Sequence, residues 1–206
     1  MVNDLLTTEL TTLVRTAASN TSLALSKLVH KPVVVESVDA GIRPVTELVR
    51  PIGPEEMVVG VCLPFTGDAG GVSLVAFRED AALILSDLLA KREPGTARQL
   101  SVLDASALKE VGNILVGVYL TALANRANVR LVESVPSLRR DMFGAIVSHI
   151  AAGLAQEATQ ALVIEIKFSF GQPVFSGHLV IFFRAEDGER LVPSQSLLRE
   201  GARRST

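Results

Sequence analysis

A strand phrase that occurs twice constrains this chain more than any other feature. Val34-Val35-Glu36-Ser37-Val38 is answered by Leu131-Val132-Glu133-Ser134-Val135 about 97 residues later, a period too long for a solenoid unit and suited to a duplicated domain. The surroundings repeat as well. Apolar side chains recur at helical intervals over residues 4–29 and again over 104–126, and each helix runs into its copy of the strand, 31–38 or 129–135. Val58–Leu63 and Val72–Phe77 flank the turn Thr66-Gly67-Asp68-Ala69-Gly70-Gly71, a hairpin pattern. Val163–Phe170 and Phe175–Phe183, parted by Gly171-Gln172-Pro173, form its counterpart. A helical segment follows each hairpin, at Glu79–Lys91 and at Ser194–Arg199.

The expected fold is α+β: one domain over residues 1–206, built from two pseudo-symmetric halves (about 4–93 and about 101–199) with long helices packed on a mainly antiparallel sheet. Glu93-Pro94-Gly95-Thr96, a cluster of helix and strand breakers, marks the join, and residues 200–206 read as a frayed tail. The halves differ in one insertion. Ser137–Gln160 reads as a full-length helix, where the first half has only the short segment Gly41–Glu56.

Composition excludes several classes of function. A formal charge of −2, no Trp and a single Tyr supply neither the basic field nor the stacking platforms that nucleic acid requires. The lone Cys62 forms no internal disulfide, and Met1-Val2-Asn3-Asp4 lacks the basic start and apolar run of an export signal, so a cytoplasmic protein is expected. The longest nearly apolar stretch, Val111–Ala124, is broken by Asn113 and Thr121 and falls short of the ~20 residues that span a bilayer. It reads as a buried amphipathic helix. His30, His149 and His178 stand far apart without companion ligands, so no metal and no cofactor of the protein's own is expected.

At ~100° per residue, Ser106, Glu110, Asn113 and Gly117 share one helical stripe, opposite Leu108, Val111, Leu115, Val118 and Ala122. The apolar set is expected against the sheet and the polar stripe outward. Asp104 is the expected N-cap. Gly112 and Gly117 each cost roughly 1 kcal/mol of helix propensity relative to Ala; Gly117, on the stripe, suits close approach of a partner surface, although glycines also permit tight packing inside a protein. An acid and an amide at i and i+3 also suit an ordinary solvated face.

The longer pattern is more specific: Ser106, three residues, Glu110, two residues, Asn113, twenty-two residues, Pro136. It resembles the signature of the CheC, CheX and FliY phosphatases of chemotaxis, and is closest to CheC. Ala107-Leu108-Lys109-Glu110-Val111-Gly112-Asn113-Ile114 is similar to that family's active-site helix, and Ala24-Leu25-Ser26-Lys27-Leu28 to its first-half counterpart. The resemblance implies a hydrolase that removes phosphate from the aspartyl phosphate of a CheY-like response regulator. It assigns Asn113 to orienting the attacking water and Glu110 to the receiver's active-site lysine, with Ser106 and Pro136 supporting. The Mg²⁺ in that reaction belongs to the receiver. Apart from the resemblance, Ser106 also suits helix-terminus chemistry, and Pro136 suits the end of a strand and a turn into the next helix.

The first half departs from the signature. Alignment of Ala24-Leu25 with Ala122-Leu123 sets Thr8, Thr12 and Arg15 opposite Ser106, Glu110 and Asn113. A one-residue shift offers Glu9, Leu13 and Thr16 instead and places Asp39 where Pro136 stands. Neither register supplies the acid and the amide, so a single intact site in the second half is expected. A competing reading, also implied by the resemblance, is a non-catalytic or weakly catalytic interaction protein that binds the receptor deamidase CheD or a phosphorylated receiver. The segment 137–160, including Asp141-Met142, resembles the part used in that docking, although Met142, Phe143, Ile146, Val147 and Ile150 suit a core equally well.

Overall fold

A computed structural model describes residues 11–12, 15, 22–23, 25–28, 30–44, 52–155, 160–170, 175–184 and 187. Its strands are β1 (Val33–Pro44), β2 (Met57–Gly67), β3 (Gly71–Arg78), β4 (Leu131–Glu133), β5 (Ser137–Met142), β6 (Gln160–Phe170) and β7 (Phe175–Arg184). Three helices are described throughout: α1 (Glu79–Leu89), α2 (Val102–Ala127) and α3 (Phe143–Ala155). The strands form one sheet in the order β1-β6-β7-β3-β2-β4, and β5 also pairs with β2. Every described pairing is antiparallel. The two expected hairpins, β2–β3 and β6–β7, lie back to back through the β3–β7 ladder. The two copies of the repeated phrase fall on β1 and on β4, near opposite edges.

Alternation along the strands sends side chains to two separate cores. Val59, Val61, Leu63 and Phe65 of β2, with Val75, Phe77, Ile164, Ile166, Leu179 and Ile181, meet α1 and α2 on one face. Val58, Cys62, Leu74, Ala76, Val163, Val180 and Phe182 meet α3 on the other. The central strands are therefore covered on both sides, which is why Val58–Leu63 and Leu179–Phe183 read as unbroken apolar runs.

Two expectations about the insertion need correction. Residues 137–142 are strand β5, not the start of a helix: they pair with Met57–Cys62 in antiparallel register. Leu138 alone in β5 joins a core, toward α2, so the strand exposes nearly all its side chains and leaves little period-two signal. The short first-half segment Gly41–Glu56 likewise begins as strand, since Gly41–Pro44 extends β1 and pairs with Gln160–Val163. The expected helix at 194–199 lies outside the described residues.

The start of α2 is fixed by a buried ionic cluster. Ser101 is the N-cap, with its hydroxyl accepting from the Asp104 N–H while the Asp104 carboxylate accepts from the Ser101 N–H, a reciprocal capping box. Asp104 is thus the third residue of the helix, not the cap. Its other oxygen accepts from the Arg92 guanidinium at 2.6 Å. Arg92 also donates at 2.9 Å to Asp87, near the end of α1, and Asp87 accepts from the Thr96 and Ala97 N–H groups as well. The breaker cluster 93–96, with Gly95 at φ 87, is folded around these carboxylates. Burial opposes the charge on Asp87 and Asp104, but the hydrogen bonds from Ala97, Ser101 and Arg92 outweigh it and hold both carboxyls below the usual range.

At 26 residues, α2 is long and apolar enough to cross a membrane by length and composition. Here it lies along the sheet, burying Leu108, Val111, Gly112, Leu115, Val116, Tyr119, Leu120 and Leu123. Val118 and Ala122, expected on that face, are only half-buried on its flank. The helix is apolar over most of its circumference and its polar stripe is narrow, so it is less amphipathic than the sequence suggests.

Gly112 permits the close approach. A Cβ there would stand 2.8 Å from Val61 Cγ1 and 3.2 Å from Val61 Cβ. Gly112→Ala is therefore expected to lower stability by about 1–3 kcal/mol in denaturant unfolding, despite alanine's better helix propensity. The cluster gives a pH signature. Because Asp87 and Asp104 are depressed in the folded state, their stabilisation is complete above the unfolded value of about 3.9 and is lost as pH falls through the folded values. Thermal melts of Asp87→Asn are expected to show a lower Tm at neutral pH and a shallower decline below about pH 4 than the parent protein.

Candidate functional site

The stripe on α2 faces outward. Ser106 and Glu110 are exposed, and Asn113 and Gly117 are half-buried. No hydrogen bond or ion pair engages the side chains of Glu110 or Asn113 among the described residues, so both are available to a docking surface. Residues i and i+3 on a helix hold their Cβ atoms about 5–6 Å apart, close enough for both to address one reacting group. Ser106 lies one turn beyond the capping box and makes none of the helix-terminus contacts, which Ser101 and Asp104 supply. Asn113 and Gly117 continue into a shallow groove with Thr121 and Asn125, one wall of which is Ile114, Val118 and Ala122.

Pro136 occupies the break between β4 and β5, which pair with successive stretches of β2. The last bond before the break runs from the Ser134 N–H to the Pro64 carbonyl at 2.8 Å. Pro136 has no N–H to extend the ladder. It therefore separates two strands, where the sequence suggested a strand followed by a helix. Its ring is half-buried.

One residue of this neighbourhood escaped the sequence analysis. Glu133 pairs opposite Phe65, whose side chain enters the core beneath α2, so Glu133 projects toward α2 as well. Its Oε1 lies 3.3 Å from where a Cβ on Gly117 would stand. Burial pushes the Glu133 carboxyl above the usual glutamate range. The available signal was the repeated phrase itself, which carries a glutamate in both copies.

In the first half, Thr12 and Arg15 are exposed on helical residues, while Thr8, Glu9, Leu13 and Thr16 lie outside the described residues. Asp39 is exposed and bonded to Arg43 at 2.5 Å, and Arg43 also engages Glu165. In the segment that resembles a CheD-docking element, Phe143, Ile146, Val147 and Ile150 belong to the core under α3. Asp141 and the 45% exposed Met142 are accessible, as are Arg139, Arg140, Ser148 and His149 of the same segment.

Gly117 and Gly112 should respond oppositely to a methyl group. At Gly117 the added Cβ would meet only the movable end of Glu133, so Gly117→Ala is expected to raise unfolding stability by up to about 1 kcal/mol.

Residues 103–139 match the CheC-like family, a segment that contains Ser106, Glu110, Asn113 and Pro136. The chain is 46% identical over 63 residues to the CheY-P phosphatase CheC of Bacillus subtilis, a stretch covering 31% of this chain and 30% of that protein. The fold extends the likeness. FliY of Thermotoga maritima superposes with TM-score 0.66 at 15% identity, covering 85% of this chain and 87% of FliY. CheX in the CheX-CheY-BeF3-Mg complex of Borrelia burgdorferi superposes with TM-score 0.51 at 19% identity, covering 82% and 93%. The FliM middle domain from H. pylori has the same fold, with TM-score 0.56 at 11% identity and coverage of 88% and 92%. Residues 103–139 thus match the CheC-like family, and the chain as a whole shares the fold of FliY, CheX and the FliM middle domain.

Proposed function

We propose that this protein hydrolyses the aspartyl phosphate of a CheY-like receiver domain, using one site on α2. The observation that carries the reading is the outward stripe: Glu110 and Asn113, in the signature spacing, stand unengaged on a helix whose opposite face is locked to the sheet. The matched CheC segment and the CheX-CheY complex support a receiver as the partner.

The chemistry asks little of the helix. Water attacks phosphorus in line, the bond from phosphorus to the aspartyl oxygen breaks, and inorganic phosphate leaves while the receiver's carboxylate is restored. In a loose transition state the main contribution is alignment of that water. The Asn113 carboxamide accepts from the water and donates elsewhere, and it adds no negative charge beside the phosphoryl oxygens. Glu110, one turn earlier, pairs with the receiver's active-site lysine and sets the docking register. Ser106 and Pro136 support the arrangement. Mg²⁺ is held by the receiver, as part of the substrate.

The first half has Thr12 and Arg15 in place of the acid and amide, and a guanidinium, which only donates, cannot accept from a water. A single working site follows. CheD binding is the second reading, and it would rest on the polar exposed residues of the segment and on Met142, since Phe143, Ile146, Val147 and Ile150 are core.

Asn113→Ala is expected to reduce receiver dephosphorylation about 100-fold, measured as phosphate release, with an unchanged melting curve. Activity equal to the parent's would refute the assignment. Glu110→Ala should raise KM as well as slow turnover, and Glu110→Lys should be more severe because it sets like charges together; restoration of activity by a receiver Lys→Glu variant identifies the contact.

A further inference from the structure

The two copies of the repeated phrase treat their glutamates differently. In the first, Glu36 is bonded to Lys167 at 2.8 Å across the β1–β6 pair. Its hydrogen bonds from Lys167 and Ser169 hold the carboxyl below the usual glutamate range. In the second, Glu133 is half-buried, and no hydrogen bond or ion pair reaches its carboxylate among the described residues. A half-buried charge without a partner opposes folding, as its displaced titration reflects. A carboxylate kept in that condition beside a candidate site is a candidate member of it.

The position of Glu133 indicates the missing partner. Its carboxylate lies across Gly117, four residues beyond Asn113 on the same stripe. At 1.5 Å per residue, Gly117 stands about 6 Å along the helix from Asn113 and about 10 Å from Glu110. Acids therefore flank Asn113 on both sides, and one docked surface spans all three. The absence of a side chain at Gly117 leaves room for the carboxylate beside the helix, where an added Cβ would stand 3.3 Å from its Oε1.

We propose that Glu133 is a second docking carboxylate of this site and takes a lysine or arginine side chain of the incoming receiver domain. The inference rests on the receiver-phosphatase reading. Glu110 and Glu133 then form a two-point acidic clamp, and Asn113 between them addresses the phosphoryl group. Ion pairing with the docked cation supplies Glu133 with what Lys167 supplies to Glu36. Because the pair forms on docking, Glu133 sets affinity and partner choice while leaving the hydrolytic step to Asn113.

The test is saturation kinetics of phosphate release from a phosphorylated CheY-type receiver with Mg²⁺, together with thermal melts, for the parent protein, Glu133→Gln and Glu133→Asp. Glu133→Gln is expected to raise KM about 10-fold with kcat within about twofold, at an unchanged or higher Tm, and Glu133→Asp should recover part of the affinity. An unchanged KM for Glu133→Gln overturns the proposal. So does a KM increase accompanied by a lower Tm, which would make the carboxylate structural. Titration of the same variants against the receiver loaded with beryllofluoride and Mg²⁺ separates this inference from the phosphatase reading. If the parent binds but does not accelerate release, hydrolysis fails while the same 10-fold difference in Kd still supports Glu133. If the parent neither binds nor hydrolyses, both fall.

Discussion

The cluster of Asp87, Arg92 and Asp104 decides where the long helix begins, and the remainder of the site follows from that point. Arg92 bridges a carboxylate near the end of α1 to the third residue of α2 and so ties the two helix ends together. Removing one partner of such a cluster leaves a buried charge uncompensated, which costs far more than the intact cluster contributes. Once Ser101 and Asp104 close the capping box, the 3.6-residue period fixes every later position. Leu108, Val111, Leu115 and Tyr119 must face the sheet, and Ser106, Glu110 and Asn113 must face away.

The sheet holds the helix at the distance the stripe requires. Gly112 sits over Val61 with no room for a methyl group, so helix and strand touch almost backbone to side chain. Gly117, five residues on, is open except for the carboxylate of Glu133. The two glycines cost the helix the same propensity for different ends: one seats α2 on the sheet, and the other leaves space on its outer side. The break at Pro136 has a related effect, dividing the edge beside β2 so that β4 carries Glu133 alongside α2 and β5 runs on toward α3.

Much of this was legible from the residues alone. The hairpin turns, the span of α2 and the outward direction of Glu110 and Asn113 come from short-range periodicity, which sequence displays directly. The misreadings have local causes. β5 exposes almost every side chain, and Ser137–Gln160 contains enough apolar residues at helical spacing to absorb it. Asp104 has the chemistry of an N-cap, but Ser101 three residues earlier supplies the reciprocal partner, and either choice fits the composition. The engagement of Glu133 with Gly117 could not be read in advance, because it depends on β4 pairing with β2 across more than sixty residues of chain. The repeated phrase showed that the two glutamates correspond, but only the packing shows that Lys167 answers one and no described side chain answers the other.

On the proposed function, the half-buried, outward-facing carboxamide of Asn113 and its neighbouring acids, held on α2, suffice to speed hydrolysis of a receiver's aspartyl phosphate. The direct measurement is the rate of phosphate release from a phosphorylated CheY-type receiver with Mg²⁺, alone and with increasing amounts of this protein. The expected result is acceleration over the receiver's own decay that rises with the amount of protein and saturates with receiver concentration. A release rate indistinguishable from that of the receiver alone, at every concentration, would contradict it.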